Sequence, residues 1–354
     1  MTLLRRLPLL LGCLALAGCA TVDYGPEPPP AEIVREPHTP PAKPVPPPRS
    51  TPEYLPRPPP RVAVAIPLIT NLTFRDVAAV QTLVDRANFS CGVIDGKQGP
   101  KTRAALRYWQ EANKLPATSA IDEPTLRALG PLDQAFTTRI VTPEDISSLT
   151  RTPSTWIGKS QAARLDYQTV LERVAEESHA AEACIRELNP QASWPNPQPG
   201  TVLTVPNPQP AIKTDAERIT ISLGQKFVRV FNKDGALVAL FPCSIAKDRE
   251  KRPVGELFVA NCAENPNYYF DPALFTEDAE AATMTGKLVI PAGPNNPVGV
   301  AWISLSLSGY GMHGTPHPED IGKTESHGCF RLANWNAEKL LRMIRIGMPV
   351  RVDP

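Results

Sequence analysis

Apolar positions change their period along this chain of 354 residues, and each change marks a different kind of segment. Leu7 to Leu16 form one short apolar run behind Arg5 and Arg6, too short for a membrane helix, and it closes on Leu16-Ala17-Gly18-Cys19. From Gly25 to Pro60 periodicity gives way to proline at nearly every second or third position. Proline fixes φ and removes a donor, so this stretch predicts an extended, solvated tether without a core. At ~3.1 Å per residue its reach is on the order of 100 Å. Helical spacing follows. Val77, Val80 and Val84 share one face of a helix starting near Asp76. Gly99-Pro100 opens a second helix with Leu106 and Trp109 inward, and Asp122 caps a third that Gly130 stops, with Leu126 and Leu129 packing between. Val170, Leu171, Val174 and Ala175 make one further stripe, and Ala181, Cys184, Ile185 and Leu188 another, before a strand-like Val202 to Val205.

From Ile219 the period drops towards two. Thr220 to Leu223, Phe227 to Phe231 and Leu237 to Phe241 read as strands, with Asn232-Lys233-Asp234-Gly235 as a hairpin turn. Further strands are predicted at Leu257 to Asn261, Lys287 to Ile290 and Gly299 to Leu305, then a helix at about Ala337 to Ile346 and a last strand at Pro349 to Val352. The fold class is a multidomain α+β chain: a small three-helix bundle over 62–132, a small α/β module over 133–212 and a mostly β domain over 213–354. Residues 1–18 and 19–61 are the leader and the tether.

Charge changes little in this picture. The 37 basic and 36 acidic residues nearly cancel, which argues against a nucleic-acid partner. No cysteine pair has zinc-ligand spacing, so no metal is expected. Cysteine usage matters more. The Leu16-Ala17-Gly18-Cys19 sequence resembles the lipobox of bacterial lipoproteins. The resemblance implies cleavage after residue 18, a lipid on Cys19 and a membrane-anchored protein of the periplasm or cell envelope. With Ala20 next, it implies the outer membrane. Five cysteines remain beyond that point: Cys91, Cys184, Cys243, Cys262 and Cys329. An odd count in an oxidising compartment suggests that one thiol is kept free. Cys243 and Cys262 fall on two predicted neighbouring strands and are either paired or free.

The string from Gly92 to Leu106, followed by Gln110, closely resembles the peptidoglycan-binding domain 1 family, which implies that the bundle meets glycan strands. A plain helical spacer is the alternative. The order of two helical stripes, Pro199-Gly200 and a strand is similar to the end of a LysM module, although no first strand is recognisable upstream of Tyr167.

The chemistry concentrates in the β domain. Gly311-Met312-His313-Gly314-Thr315 precedes Ser326-His327-Gly328-Cys329-Phe330-Arg331, the second histidine following the first by fourteen positions. A catalytic thiol needs a neighbouring base, because a free thiol near pKa ~8.5 is mostly protonated at neutral pH. Gly328 lets substrate approach the backbone closely. This pattern resembles the YkuD-type L,D-transpeptidase signature, and Pro253-Val254-Gly255 and Gly347-Met348-Pro349-Val350 resemble further pieces of that family. The resemblance implies Cys329 as nucleophile, His313 as general acid and base, and Gly314 orienting His313 through its carbonyl. It implies backbone groups of His327, Gly328 and Cys329 as an oxyanion hole, and Arg331 and Ser326 as substrate contacts. The implied reaction uses no cofactor. It forms a thioester with a peptidoglycan stem peptide, then a 3→3 cross-link or a link to a lipoprotein. Transfer to water, giving an L,D-carboxypeptidase, or a non-catalytic wall tether are the alternatives. Phe330, Arg252 and an aromatic, acidic insertion over 265–285 depart from the family pattern, and none of them is expected to touch the catalytic pair.

Overall fold

The computed structural model describes residues 69–208, 214–275, 277–323 and 328–354. The leader, the proline-rich tether, Cys19, Ser326 and His327 lie outside the described residues.

The bundle comprises α1 (Phe74–Arg86), α2 (Pro100–Ala112) and α3 (Glu123–Leu129). Thr73 starts α1 two residues before the expected position. Its hydroxyl accepts from Asp76 N, and the Asp76 carboxylate accepts from Thr73 N, a reciprocal capping box. Buried Gln81 organises the Gly92–Gly99 loop by donating to Asp95 Oδ1 and Lys97 O while accepting from Asp95 N and Gly96 N.

Next come β1 (Phe136–Ile140), α4 (Pro143–Ser147), α5 (Trp156–Gln161), α6 (Val170–Glu177), α7 (Glu182–Leu188) and β2 (Val202–Pro206). β1 pairs antiparallel with β2, Phe136 opposite Pro206. β1 lies upstream of Tyr167, where the sequence showed no strand, and α4 and α5 separate it from α6.

The remaining elements are β3 (Ala216–Ser222), β4 (Phe227–Asn232), β5 (Leu237–Pro242), β6 (Gly255–Glu264), β7 (Tyr268–Phe270), β8 (Leu288–Ile290), β9 (Ala301–Leu305), β10 (Gly311–His313), β11 (Phe330–Arg331), α8 (Asn334–Met343) and β12 (Pro349–Asp353). Eight of these strands form one sheet in the order β11-β10-β9-β6-β12-β3-β4-β5, while β7 and β8 pair as a separate ribbon. Only β10 with β11 and β12 with β3 run parallel. β5 and β6, consecutive in the chain, are separated by β12, β3 and β4, so Cys243 and Cys262 do not sit on neighbouring strands, and both are free thiols. α8 begins three residues earlier than the apolar pattern suggested, at Asn334.

Helix α8 joins the parts. Ala337, Leu340 and Met343 pack on the sheet, in the same buried cluster as Ile221, Ile303 and Val350. Its other side meets the helical region. Lys339 Nζ donates to Asp85 Oδ2 of α1 at 2.7 Å, and His179, in the turn after α6, reaches the same oxygen at 2.8 Å. Asp85 and Lys339 are 1% and 4% exposed, so this ion pair stands outside water. His179 also stacks on Trp335 at 5.2 Å, and Asn334 Nδ2 donates to Glu176 Oε1. His179 holds a left-handed φ of 55° just beyond the end of α6. A second buried cluster runs continuously from Val77 of α1 through Leu171 and Leu203 to Phe227, Leu240 and Trp335.

Burial alone would raise the Asp85 pKa, but the Lys339 charge and the His179 contact outweigh it and hold the carboxyl well below the usual carboxylate range. Its contribution to stability is therefore fully present above the unfolded-state value of about 4 and is lost as pH falls towards the folded value. Lys339→Met leaves that charge buried with one partner fewer and should lower the unfolding free energy by about 3–5 kcal/mol. Urea denaturation followed by tryptophan fluorescence checks this, and adding Asp85→Leu should recover part of the loss.

Candidate active site

Sheet register builds the site. Across four strands Ala263, Trp302, His313 and Arg331 form one row, and Cys262, Ile303, Met312 and Phe330 form the next. Side chains alternate faces along a strand. Ile303, Met312 and Phe330 are all fully buried in the core on the α8 side. His313, Arg331 and Trp302 are thereby committed to the opposite face. One further step along β10 and back from β11 sets Cys329 beside Gly311, again on the His313 face. His313 and Cys329, sixteen positions apart in sequence, come to one face because a three-residue and a two-residue strand pair in parallel.

That short pairing is braced on both sides. Leu332 N donates to His313 O at 2.8 Å, and Gly314 N donates to Ala301 O. Ser244 and Arg331 exchange backbone hydrogen bonds, N to O, at 2.9 and 3.1 Å. The loop leaving β10 is pinned by Lys101 of α2, whose Nζ donates to Ile321 O at 2.9 Å, and by Gly322 N donating to Ser244 Oγ.

The His313 ring is fixed in place. Its Nδ1 lies 2.6 Å from Gly314 O; a carbonyl only accepts, so Nδ1 carries the proton and Nε2 is left with its lone pair. Trp302, its cross-strand partner, stacks on the imidazole at 5.5 Å and 22°, and the indole is anchored by Nε1–H to Ser304 Oγ at 2.7 Å. Gly311 makes this stack feasible, because a Cβ there would come within 2.9 Å of Trp302 Cζ2. Burial lowers the His313 pKa to about 4, the Gly314 carbonyl opposing and the Arg331 charge reinforcing the shift. The imidazole is accordingly neutral at ordinary pH.

Cys329 is half-buried, its Sγ 3.6 Å from Gly309 O. Burial pushes its pKa up, against a backbone hydrogen bond from Gly311. At neutral pH the resting pair is thus thiol and imidazole rather than thiolate and imidazolium. Among the described residues, a Cβ on Gly328 would meet Tyr310 Cε1 at 3.7 Å, an ordinary contact. The Arg331 guanidinium, partly desolvated, lies in electrostatic range of Asp320. By contrast, Cys91, Cys184 and Cys243 are interior thiols, with burial raising Cys184 and Cys243 to about 12. Among the described residues no group of three His, Cys, Asp or Glu side chains could hold a metal ion. His317 is exposed.

Two neighbours escaped the sequence reading. Trp302 was detectable by counting across the β9–β10 turn from His313. Tyr268, in the 265–285 insertion, lies close enough to Cys329 for the thiolate to add to the rise that burial gives its phenol, which reaches about 12. Tyr268 is thus within electrostatic range of Cys329, on a strand that follows β6, whose Ala263 shares the Trp302–His313 row.

Residues 216–352 match the family profile described as "L,D-transpeptidase catalytic domain", and residues 75–129 that described as "Putative peptidoglycan binding domain". The chain is 27% identical over 187 residues to the "Putative L,D-transpeptidase YkuD" of Bacillus licheniformis, covering 52% of this chain and 93% of that protein. It is likewise 27% identical over 181 residues to the "Probable L,D-transpeptidase YbiS" of Escherichia coli K12, covering 51% of this chain and 59% of the relative. Among solved structures, the L,D-transpeptidase of Xylanimonas cellulosilytica (residues 123–326) aligns at 15% identity and a TM-score of 0.33, covering 81% of this chain and 97% of that one. The assignment rests on the family profiles and the sequence relatives: residues 216–352 are an L,D-transpeptidase catalytic domain, and residues 75–129 belong to the peptidoglycan-binding family.

Proposed function

We propose that this protein is a cell-envelope L,D-transpeptidase that acts on peptidoglycan stem peptides through a thioester on Cys329. The observation that carries the reading is the common face shared by Cys329 and His313, with the Nε2 lone pair of His313 kept available by the Nδ1–H bond to Gly314 O. His313 Nε2 takes the Cys329 proton as the thiolate attacks the carbonyl of the third stem residue. The tetrahedral oxyanion is received by backbone groups of Gly328 and Cys329, with His327 as the third oxyanion residue in this reading. Collapse breaks the bond to the terminal D-alanine, whose amine takes the proton from His313. An acceptor amine then gives a proton to His313 and attacks the thioester; the new amide forms, and Cys329 leaves and is reprotonated. A neighbouring stem as acceptor yields a 3→3 cross-link. Arg331 and Ser326 contribute to stem binding in this reading, Arg331 by pairing with a carboxylate.

The peptidoglycan-binding family match over 75–129 supports glycan strands as the second partner. The pairing of β1 with β2, with α6 and α7 between them after the shorter α4 and α5, supports the LysM-like reading of the middle module. The lipobox-like Leu16-Ala17-Gly18-Cys19 supports anchoring through Cys19, in the outer membrane. The tether then gives the wall-facing modules their reach.

Full-length protein incubated with disaccharide-tetrapeptide should give a cross-linked dimer lighter by one D-alanine, and Cys329→Ala should abolish it, a loss of at least about 10³-fold. Product masses check this. Tripeptide without dimer would assign a carboxypeptidase, and unchanged substrate with both proteins would favour a tether.

The pH profile gives a second check. The base must be neutral, so kcat/KM should be sustained above the His313 value of about 4 and fall as pH drops through it. An acid limb near the ordinary histidine value of about 6.5 would contradict the buried, neutral base described here.

A further inference from the structure

The β7–β8 ribbon pairs apart from the eight-stranded sheet, and the loop leaving it reaches the catalytic site: a Cβ on Gly299 would lie 2.7 Å from C of Gly314, whose carbonyl holds the His313 ring. The ribbon is held by the middle module. Tyr268, Phe270, Leu288 and Ile290 face one side of the ribbon, and on that side they form a small separate cluster with Leu165 and Trp156. Trp156, the first residue of α5, stacks face to face on Phe270 at 4.0 Å and 14°, and lies 6.4 Å from the Tyr268 ring. Its indole Nε1 donates to Asp278 Oδ2 at 3.0 Å. The backbone N–H groups of Trp156 and Ile157 donate to the two carboxylate oxygens of Glu280 at 2.7 and 3.0 Å. Leu165 completes the contact: its N donates to Ala292 O, and its O accepts from Asn295 N, each at 3.0 Å. The backbones approach so closely that a Cβ on Gly293 would lie 2.1 Å from Leu165 O. Asp278 and Glu280 belong to the insertion, whose acids and aromatics otherwise have no part in the catalytic sequence motifs.

We propose that residues 155–165 are a positioning element of the active site: Trp156 and Leu165, through Phe270, Asp278, Glu280 and the loop at Gly293, hold the β7–β8 ribbon and its exit loop against the catalytic site, and a stem peptide binds productively only while that contact is made. Trp156 touches no reacting atom. It acts through the ribbon, so a change in the middle module is felt as a change in the wall of the substrate site. This rests on the L,D-transpeptidase reading for its substrate, but the contact itself is readable through the thiol alone.

The experiment compares full-length wild type with Trp156→Ala, Trp156→Phe and Glu280→Gln by two readouts. The first is alkylation by iodoacetamide at one pH, resolved by peptide mass, because the chain carries its own controls: Cys91, Cys184 and Cys243 are buried thiols that react only if the fold opens. The second is the steady-state kinetics of cross-linking. Trp156→Ala should speed alkylation of Cys329 while the three interior thiols stay protected, and should raise KM for disaccharide-tetrapeptide about tenfold with kcat little changed. Trp156→Phe, which keeps the stack, should restore most of both, and Glu280→Gln should shift them in the same direction by less. Unchanged Cys329 reactivity and KM in Trp156→Ala would overturn the proposal. Should Trp156→Ala expose the interior thiols, Glu280→Gln decides, and exposure of the interior thiols in that variant too would reduce the contact to one of overall stability. If wild type fails to turn over the muropeptide, the functional reading falls, while the alkylation arm still tests the contact.

Discussion

The site depends on a parallel pairing between two strands too short to hold themselves. β10 and β11 contribute three and two residues, yet their register sets Cys329 beside Gly311 and Arg331 beside His313. A slip of one residue would turn Cys329 into the core and Phe330 out to the substrate face. What prevents the slip is the neighbouring row: Met312 and Phe330 fit the fully buried layer under α8, and that layer accepts apolar side chains only. Core packing and catalytic geometry are therefore one constraint, and Phe330 belongs to both.

The same economy extends outward. α8 supplies the floor of the sheet core on one side and Lys339, Trp335 and Asn334 to the helical region on the other. A buried ion pair is seldom a net gain over apolar packing, but breaking one leaves a desolvated charge, which makes the Asp85–Lys339 junction an all-or-none register between α1 and α8. Lys101 extends this link to the loop after β10. The bundle thus contributes to the walls of the catalytic domain as well as to its surroundings.

Legibility in the sequence followed the range of the interaction. Asp122, Gly99-Pro100 and the Asn232–Gly235 turn are local signals, and each element they marked is present. The Cys329 and His313 motifs were legible because each is a contiguous string whose residue types have a chemical reason to stand together. β7, β10 and β11 are two or three residues long, below the length at which periodicity carries information. β1 shows little burial alternation, and its partner lies some sixty residues on. Asp85 and Lys339 are 254 positions apart, so nothing local pairs them. Cys243 and Cys262 erred the other way: nearness in sequence suggested neighbouring strands, while the sheet places three strands between them. Tyr268 was visible as part of an aromatic cluster, but its electrostatic reach to Cys329 is set by the tertiary fold and has no local sign.

The most direct test of the account is to catch the covalent intermediate. Full-length protein mixed with disaccharide-tetrapeptide, quenched in acid within the first turnovers and digested, should carry a mass increment of the stem substrate less D-alanine on the peptide containing Cys329. That adduct should be labile to hydroxylamine, as a thioester is. Turnover with no increment on that peptide, or an increment on another residue, would contradict the central claim that Cys329 is the nucleophile.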